Sequence, residues 1–107
     1  MTTKNANTSS SSPVNPRFEH VYKVFTSHNW IVKENTQDKI SFYLKELFPY
    51  DDFSLCVEPD GKIDAVIPIW DSYRSISKIF DADDYESANQ YLCNKLDYYE
   101  SLQKKMN

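Results

Sequence analysis

Apolar and polar residues alternate in Phe53-Ser-Leu-Cys-Val57, and again in Ile63-Asp-Ala-Val-Ile67. A period of two predicts a pair of half-buried strands. Pro59-Asp60-Gly61 lies between them and supplies the turn chemistry: proline pre-sets φ near about −65°, and glycine accepts positive φ without steric cost. A three-residue loop places Glu58 against Lys62, and Val57, Leu55 and Phe53 against Ile63, Ala65 and Ile67. A two-residue Asp-Gly loop would set Val57 opposite Asp64 and divide the apolar set. A one-residue slip inverts a strand's faces, so burial selects the first register. Ser54, Cys56, Asp64 and Val66 then point to a wetter face. Pro68 cannot donate to a ladder and stops the second strand. Beyond Trp70-Asp71-Ser72, Tyr73 to Phe80 predicts a third strand. Its alternation buries either Tyr73 with Ile79 or Ile76 with Phe80, and the register stays open.

Other segments carry helical spacing. Asn15-Pro16 reads as an N-cap with proline at the first helical position. Phe18, Val21, Tyr22 and Phe25 follow at three- and four-residue intervals, predicting a helix that ends near His28-Asn29. Trp30-Ile-Val32 is a short apolar connector. Asn35 or Thr36, with Asp38 in the first turn, resembles a second helix start. The stripe Ile40, Tyr43, Leu44, Leu47 and Phe48 continues it, and Pro49 ends it. Tyr50-Asp51-Asp52 turns into the hairpin. Asp81-Ala-Asp-Asp84 precedes the longest helix, where Asp83 with Glu86 fits a capping box. Tyr85, Ala88, Leu92, Leu96, Tyr99, Leu102 and Met106 mark its buried stripe, closed by Lys104 and Lys105.

The expected fold class is therefore α+β. A three-stranded antiparallel meander has helices packed on one face, in the order α-α-β-β-β-α, with the second and last helices as the cover. Residues 1–14 are Thr, Asn and Ser with almost nothing apolar, so a disordered N-terminal tail is expected. Ser9 to Ser12 before Pro13 could serve docking or phosphorylation there. Residues 15–107 form a single domain.

The chain of 107 residues is 40% hydrophobic, enough for one small core. Its net charge of −4 argues against a broad polyanion-binding surface. No apolar run is long enough to span a membrane, and the first residues have no apolar segment of an export signal, so secretion is not expected. Two cysteines make no disulfide framework, so reduced thiols in a cytoplasmic or nuclear setting are expected.

Several chemistries lack their residues. One glycine, placed in a turn, cannot build a phosphate loop. His20, His28, Cys56 and Cys93 have no metal-ligand spacing, so neither metal nor cofactor is expected. No nucleophile sits in a local motif with a base. Asp81, Asp83 and Asp84 lack the alternation of a calcium loop and read as helix capping. A non-enzymatic role follows.

Aromatic residues make up 15% of the chain, with eight tyrosines and two tryptophans, more than so small a core absorbs. Tyr91 and Tyr98 lie one heptad apart on the flank of the last helix and form an amphipathic strip with Lys95 and Leu102. Trp70 and Tyr73 are further candidates at the loop before the third strand. Tyrosine is enriched at interfaces. Cys93 is expected to project roughly opposite the buried stripe. The expected function is a protein–protein interaction module: a small accessory protein or assembly subunit, with self-association through the C-terminal helix as one form.

The α–β–β–β–α part of the order resembles that of double-stranded RNA-binding domains, in order of elements alone. That alternative requires Lys39, Lys45, Arg74 and Lys78 to converge. Such domains begin their last helix with basic residues, whereas Asp81-Ala-Asp-Asp-Tyr-Glu86 would repel phosphate. Nucleic acid is therefore not the expected partner. A further alternative is an acidic inhibitor of a nucleic-acid-binding protein, acting through Asp51, Asp52, Asp81, Asp83 and Asp84.

Overall fold

The computed structural model of the protein describes residues 13–44, 52–69 and 74–106, with backbone only for 103–106. A 3₁₀ turn, Pro16–Phe18, leads into helix α1, Glu19–Ser27. Five strands follow: β1 (Ile31–Asn35), β2 (Lys39–Tyr43), β3 (Phe53–Val57), β4 (Ile63–Pro68) and β5 (Ser75–Phe80). Helix α2, Tyr85–Met106, closes the fold. The strands form one antiparallel meander in chain order. The expected three-stranded sheet is thus a five-stranded one, and the order is one helix, five strands, one helix.

The hairpin register agrees with its sequence pattern. Val57 pairs with Ile63 and Leu55 with Ala65. The Glu58 N–H donates to Lys62 O and the Gly61 N–H to Glu58 O, both at 2.8 Å, and Gly61 has φ +91°. Phe53, Leu55, Ile63, Ala65 and Ile67 are buried on the face that carries both helices.

The second helix expected over residues 35–48 is not formed where the structure describes it. Residues 31–35 and 39–43 are instead the hairpin β1–β2. Thr36 does cap, but it caps a turn. Its hydroxyl accepts from the Asp38 and Lys39 N–H groups at 3.3 and 3.0 Å, and its own N–H donates to Lys39 O at 2.8 Å. The same side-chain chemistry serves helix starts and tight turns. As a strand, β2 puts Ile40 and Phe42 together on the core face, both fully buried. A helix would have thrown Phe42 to the side opposite Ile40. Leu47 and Phe48 lie outside the described residues.

Helix α1 ends in a Schellman motif. Asn29 takes φ 72°, the Asn29 N–H donates to Thr26 O at 3.1 Å, and the Trp30 N–H donates to Phe25 O at 3.0 Å. The apolar contact that accompanies such ends is the Phe25–Trp30 edge contact, with centroids 5.6 Å apart. The start of α1 is capped from afar. Its N-cap position, Phe18, offers no side-chain acceptor. The buried Asn89 of α2 accepts from the Val21 N–H at 3.0 Å and donates to Arg17 O at 3.0 Å and Tyr85 O at 2.7 Å. At the far end His28 Nδ1 lies 2.8 Å from Glu100 Oε1. The two helices therefore run parallel. Asp84 caps α2 by accepting from the Ser87 N–H at 3.2 Å, while Asp83, the expected cap, sits in the turn at φ 71°.

Two substitutions test this packing. Phe42→Ala should lower unfolding free energy by about 3–5 kcal/mol in a urea titration, the cost of truncating a buried ring. Asn89→Ala should cost about 1–3 kcal/mol, because it leaves the buried Val21 N–H without its partner.

Candidate interaction surface on the last helix and the edge strand

The two flanks of α2 have different neighbours. On one side Asn89, Cys93 and Glu100 follow one another along the helix, and α1 lies against that side through Asn89 and Glu100. Cys93 is consequently buried, which corrects the expectation that it projects away from the core. Burial, and then the carboxylate of Asp97, push its thiol up to about 11. The helical wheel measures angle from the stripe; it does not record what an adjacent helix covers.

The other flank carries Tyr91, Lys95, Tyr98 and Leu102 at i, i+4, i+7 and i+11, a straight strip on a helix. Tyr98 is 58% exposed, whereas Tyr91, Lys95 and Leu102 are half-buried. Trp70 and Tyr73 lie outside the described residues, so their place relative to this strip is not assigned. The sequence reading missed the strip's other half. Phe80, at the end of β5, packs on Tyr91 with centroids 5.6 Å apart. Lys78 Nζ lies 5.6 Å from the Phe80 ring and 5.9 Å from the Tyr91 ring, and Lys95 Nζ lies 5.6 Å from Tyr91. Two ammonium groups thus share one tyrosine, each within cation–π range. Lys23, Lys33 and Lys39 hold carboxylates at 3.6, 2.8 and 2.9 Å. Among the described residues neither Lys78 nor Lys95 has one. A Lys on the core-side face of a strand otherwise read as apolar was the available signal.

Strand β5 is the outer strand of the sheet. Ile76, Lys78 and Phe80 pair with Ile67, Ala65 and Ile63, so they share the helix-bearing face, while Ser77 and Ile79 face the other way beside Val66 and Asp64. The Ile76–Phe80 alternative of the open register is the one that faces the helices. Neither isoleucine is covered, however: Ile76 is 48% and Ile79 54% exposed. Helix α2 reaches over only part of β5.

A shallow depression of about 400 Å³ lies beyond Tyr91 on the outer side of α2, lined by Glu86, Ser87, Gln90 and Asn94. Within it Gln90 Nε2 donates to Asn94 Oδ1 at 3.1 Å. Among the described residues no group of three or more His, Cys, Asp or Glu is placed to hold a metal ion, and no helix is long and apolar enough to cross a membrane. Lys39 faces away from the helices, since it pairs with Cys56 opposite Asp64, and it bonds Glu34. Lys78 is on the helix-bearing face. The two do not converge, and Lys45 lies outside the described residues. The five-strand order also removes the likeness of element order to double-stranded RNA-binding domains. No family model, curated protein or solved structure matches the chain.

The covered thiol has a measurable consequence. Cys93 should resist iodoacetamide in the native protein at pH 8 and react in urea. In the folded state the thiol keeps its proton to higher pH than in the unfolded chain. Its contribution is complete below about pH 9 and is lost as pH rises toward the folded value of about 11, so stability should fall across that window in the wild type and less in Cys93→Ala.

Proposed function

We propose that the chain is a non-enzymatic protein-interaction module that meets its partner through the flank of α2 bearing Tyr91, Lys95, Tyr98 and Leu102. The observation that carries this reading is the unequal cover of α2. One flank is sealed by α1, while the other sets Tyr91 against Phe80 of the edge strand and, further along, leaves Tyr98 58% exposed; Ile76, on the same helix-bearing face of that strand, is 48% exposed. Exposed large apolar side chains that adjoin one another mark contact sites more often than scattered ones do. Tyrosine suits such a contact because it buries area at little entropic cost. In this role the protein is an accessory chain or a subunit of a larger assembly. A second copy is one form its partner can take.

Tyr98→Ser/Leu102→Ser is the direct test, because both side chains lie at the margin of the monomer's core. The wild type should retain at least one protein from native lysate that the double variant retains about tenfold less, the equivalent of ~1.4 kcal/mol. The variant should keep the wild-type unfolding midpoint within a few degrees. Light scattering over a concentration series separates a second copy from a foreign partner. Identical retention by both proteins, with both monomeric, would remove the support for this surface.

A further inference from the structure

We propose that the partner is an extended acidic–apolar segment that adds to the outer edge of β5, which no described residue pairs with, as a sixth strand alongside α2. This inference rests on the interaction reading above and specifies its mode.

The phase of the ladder identifies which backbone groups are available. The Ile69 N–H donates to Arg74 O at 2.9 Å, so residues 69 and 74 form a hydrogen-bonded pair. The pairing continues without interruption from Pro68–Ser75 to Ile63–Phe80. Hydrogen-bonded and non-bonded pairs alternate along an antiparallel ladder. Residues 74, 76, 78 and 80 therefore direct their backbone groups at β4. Ser75, Ser77 and Ile79 direct theirs outward. Pro68 agrees with this phase, since it sits opposite Ser75 in a pair that needs no N–H from it.

The two edges of the sheet differ. Edge strand β1 is broken by a register shift between Val32 and Glu34, and its charged side chains are engaged, Lys33 with Asp52 and Glu34 with Lys39. A bulge and charges are ordinary protections of an edge. Strand β5 has no register shift and exposes Ile76 and Ile79, one on each face. Among the described residues its one protection is Lys78, and a lysine turned toward the core face rejects a neutral or basic neighbour strand. The same lysine favours a strand that brings a carboxylate opposite it, with Lys95 close by on the shared Tyr91 ring. Charge complementarity thus selects the occupant: a carboxylate opposite Lys78, apolar side chains opposite Ile76, Ile79 and Phe80, and a small polar residue opposite Ser77. Main-chain bonds would supply affinity and the alternate side chains specificity.

The probe is a fluorescein-labelled peptide containing Val-Val-Glu-Thr-Val, titrated into ¹⁵N-labelled full-length protein at low salt. The amide resonances of Ser77 and Ile79 should shift and gain protection from exchange, while those of Ile76 and Lys78, already bonded to β4, gain none. Replacing the peptide's glutamate by lysine should weaken binding at least tenfold, as should Lys78→Glu in the protein, and the two changes together should restore part of it. Ser77→Pro removes an outward N–H without touching the β4 ladder; it should keep the wild-type fold and lose peptide binding. Absent binding of the acidic peptide, or undiminished binding by Ser77→Pro, would overturn strand addition. Shifts confined to Tyr98 and Leu102 would do the same while leaving the α2-flank reading standing. A concentration-dependent dimer with the Ser77 and Ile79 amides protected in the absence of peptide would assign the edge to a second copy instead.

Discussion

Phe25 is the side chain on which the remaining packing depends. Its ring stacks on Phe42 of β2 at 4.5 Å with an interplanar angle of 14°, and lies 5.2 Å from Phe53 of β3. Trp30, just before β1, meets both Phe25 and Phe53 edge-on, and Tyr99 of α2 meets Phe53 at 5.0 Å. One aromatic cluster thereby joins both helices to β2 and β3. Each ring gains from its neighbours beyond the area it buries. The Schellman end of α1 contributes directly, since the left-handed Asn29 turns the chain so that Trp30 folds back onto Phe25.

That cluster is off-centre, and the sidedness of the molecule follows from it. Helix α1 occupies the ground above β1 and β2 and closes one flank of α2 through Asn89. Helix α2 lies above β3 and β4. Strand β5 receives only a margin of cover, so its residues on both faces meet water. An outer strand, a tyrosine strip and two lysines that hold no carboxylate among the described residues come together where the helical layer runs out. The surface proposed for partner binding is thus a by-product of covering five strands with two helices.

The legible parts of the chain were those whose local pattern had one reading. The β3–β4 hairpin needed a single turn chemistry and a single register to gather its apolar residues, and both are present. The presence of α1 and α2 followed from proline and long stripes, whereas their caps did not: Asp84 takes the place expected of Asp83, and α1 begins beyond a 3₁₀ turn with no cap of its own. Residues 31–43 had two readings. Ile40, Tyr43 and Leu44 fit a helix face, while Ile40, Ser41 and Phe42 fit a strand, and over so few residues the two periods overlap. Phe42 was the discriminating residue, because only a strand buries it with Ile40. Cys93 and Lys78 failed for another reason. Their surroundings are supplied by α1 and by α2, elements distant in sequence, and no local spacing records them. The same is true of Asn89, which caps a helix 68 residues away.

Sequence alone determined the hairpin, its glycine turn and the presence of the two terminal helices, because the pattern that marks each is complete within a short stretch of chain. Tertiary structure alone decided that the sheet has five strands, that Cys93 is covered and that Tyr98 is not. Those outcomes depend on where the helical layer begins and ends over the sheet, a matter of area and position that no short window of residues contains.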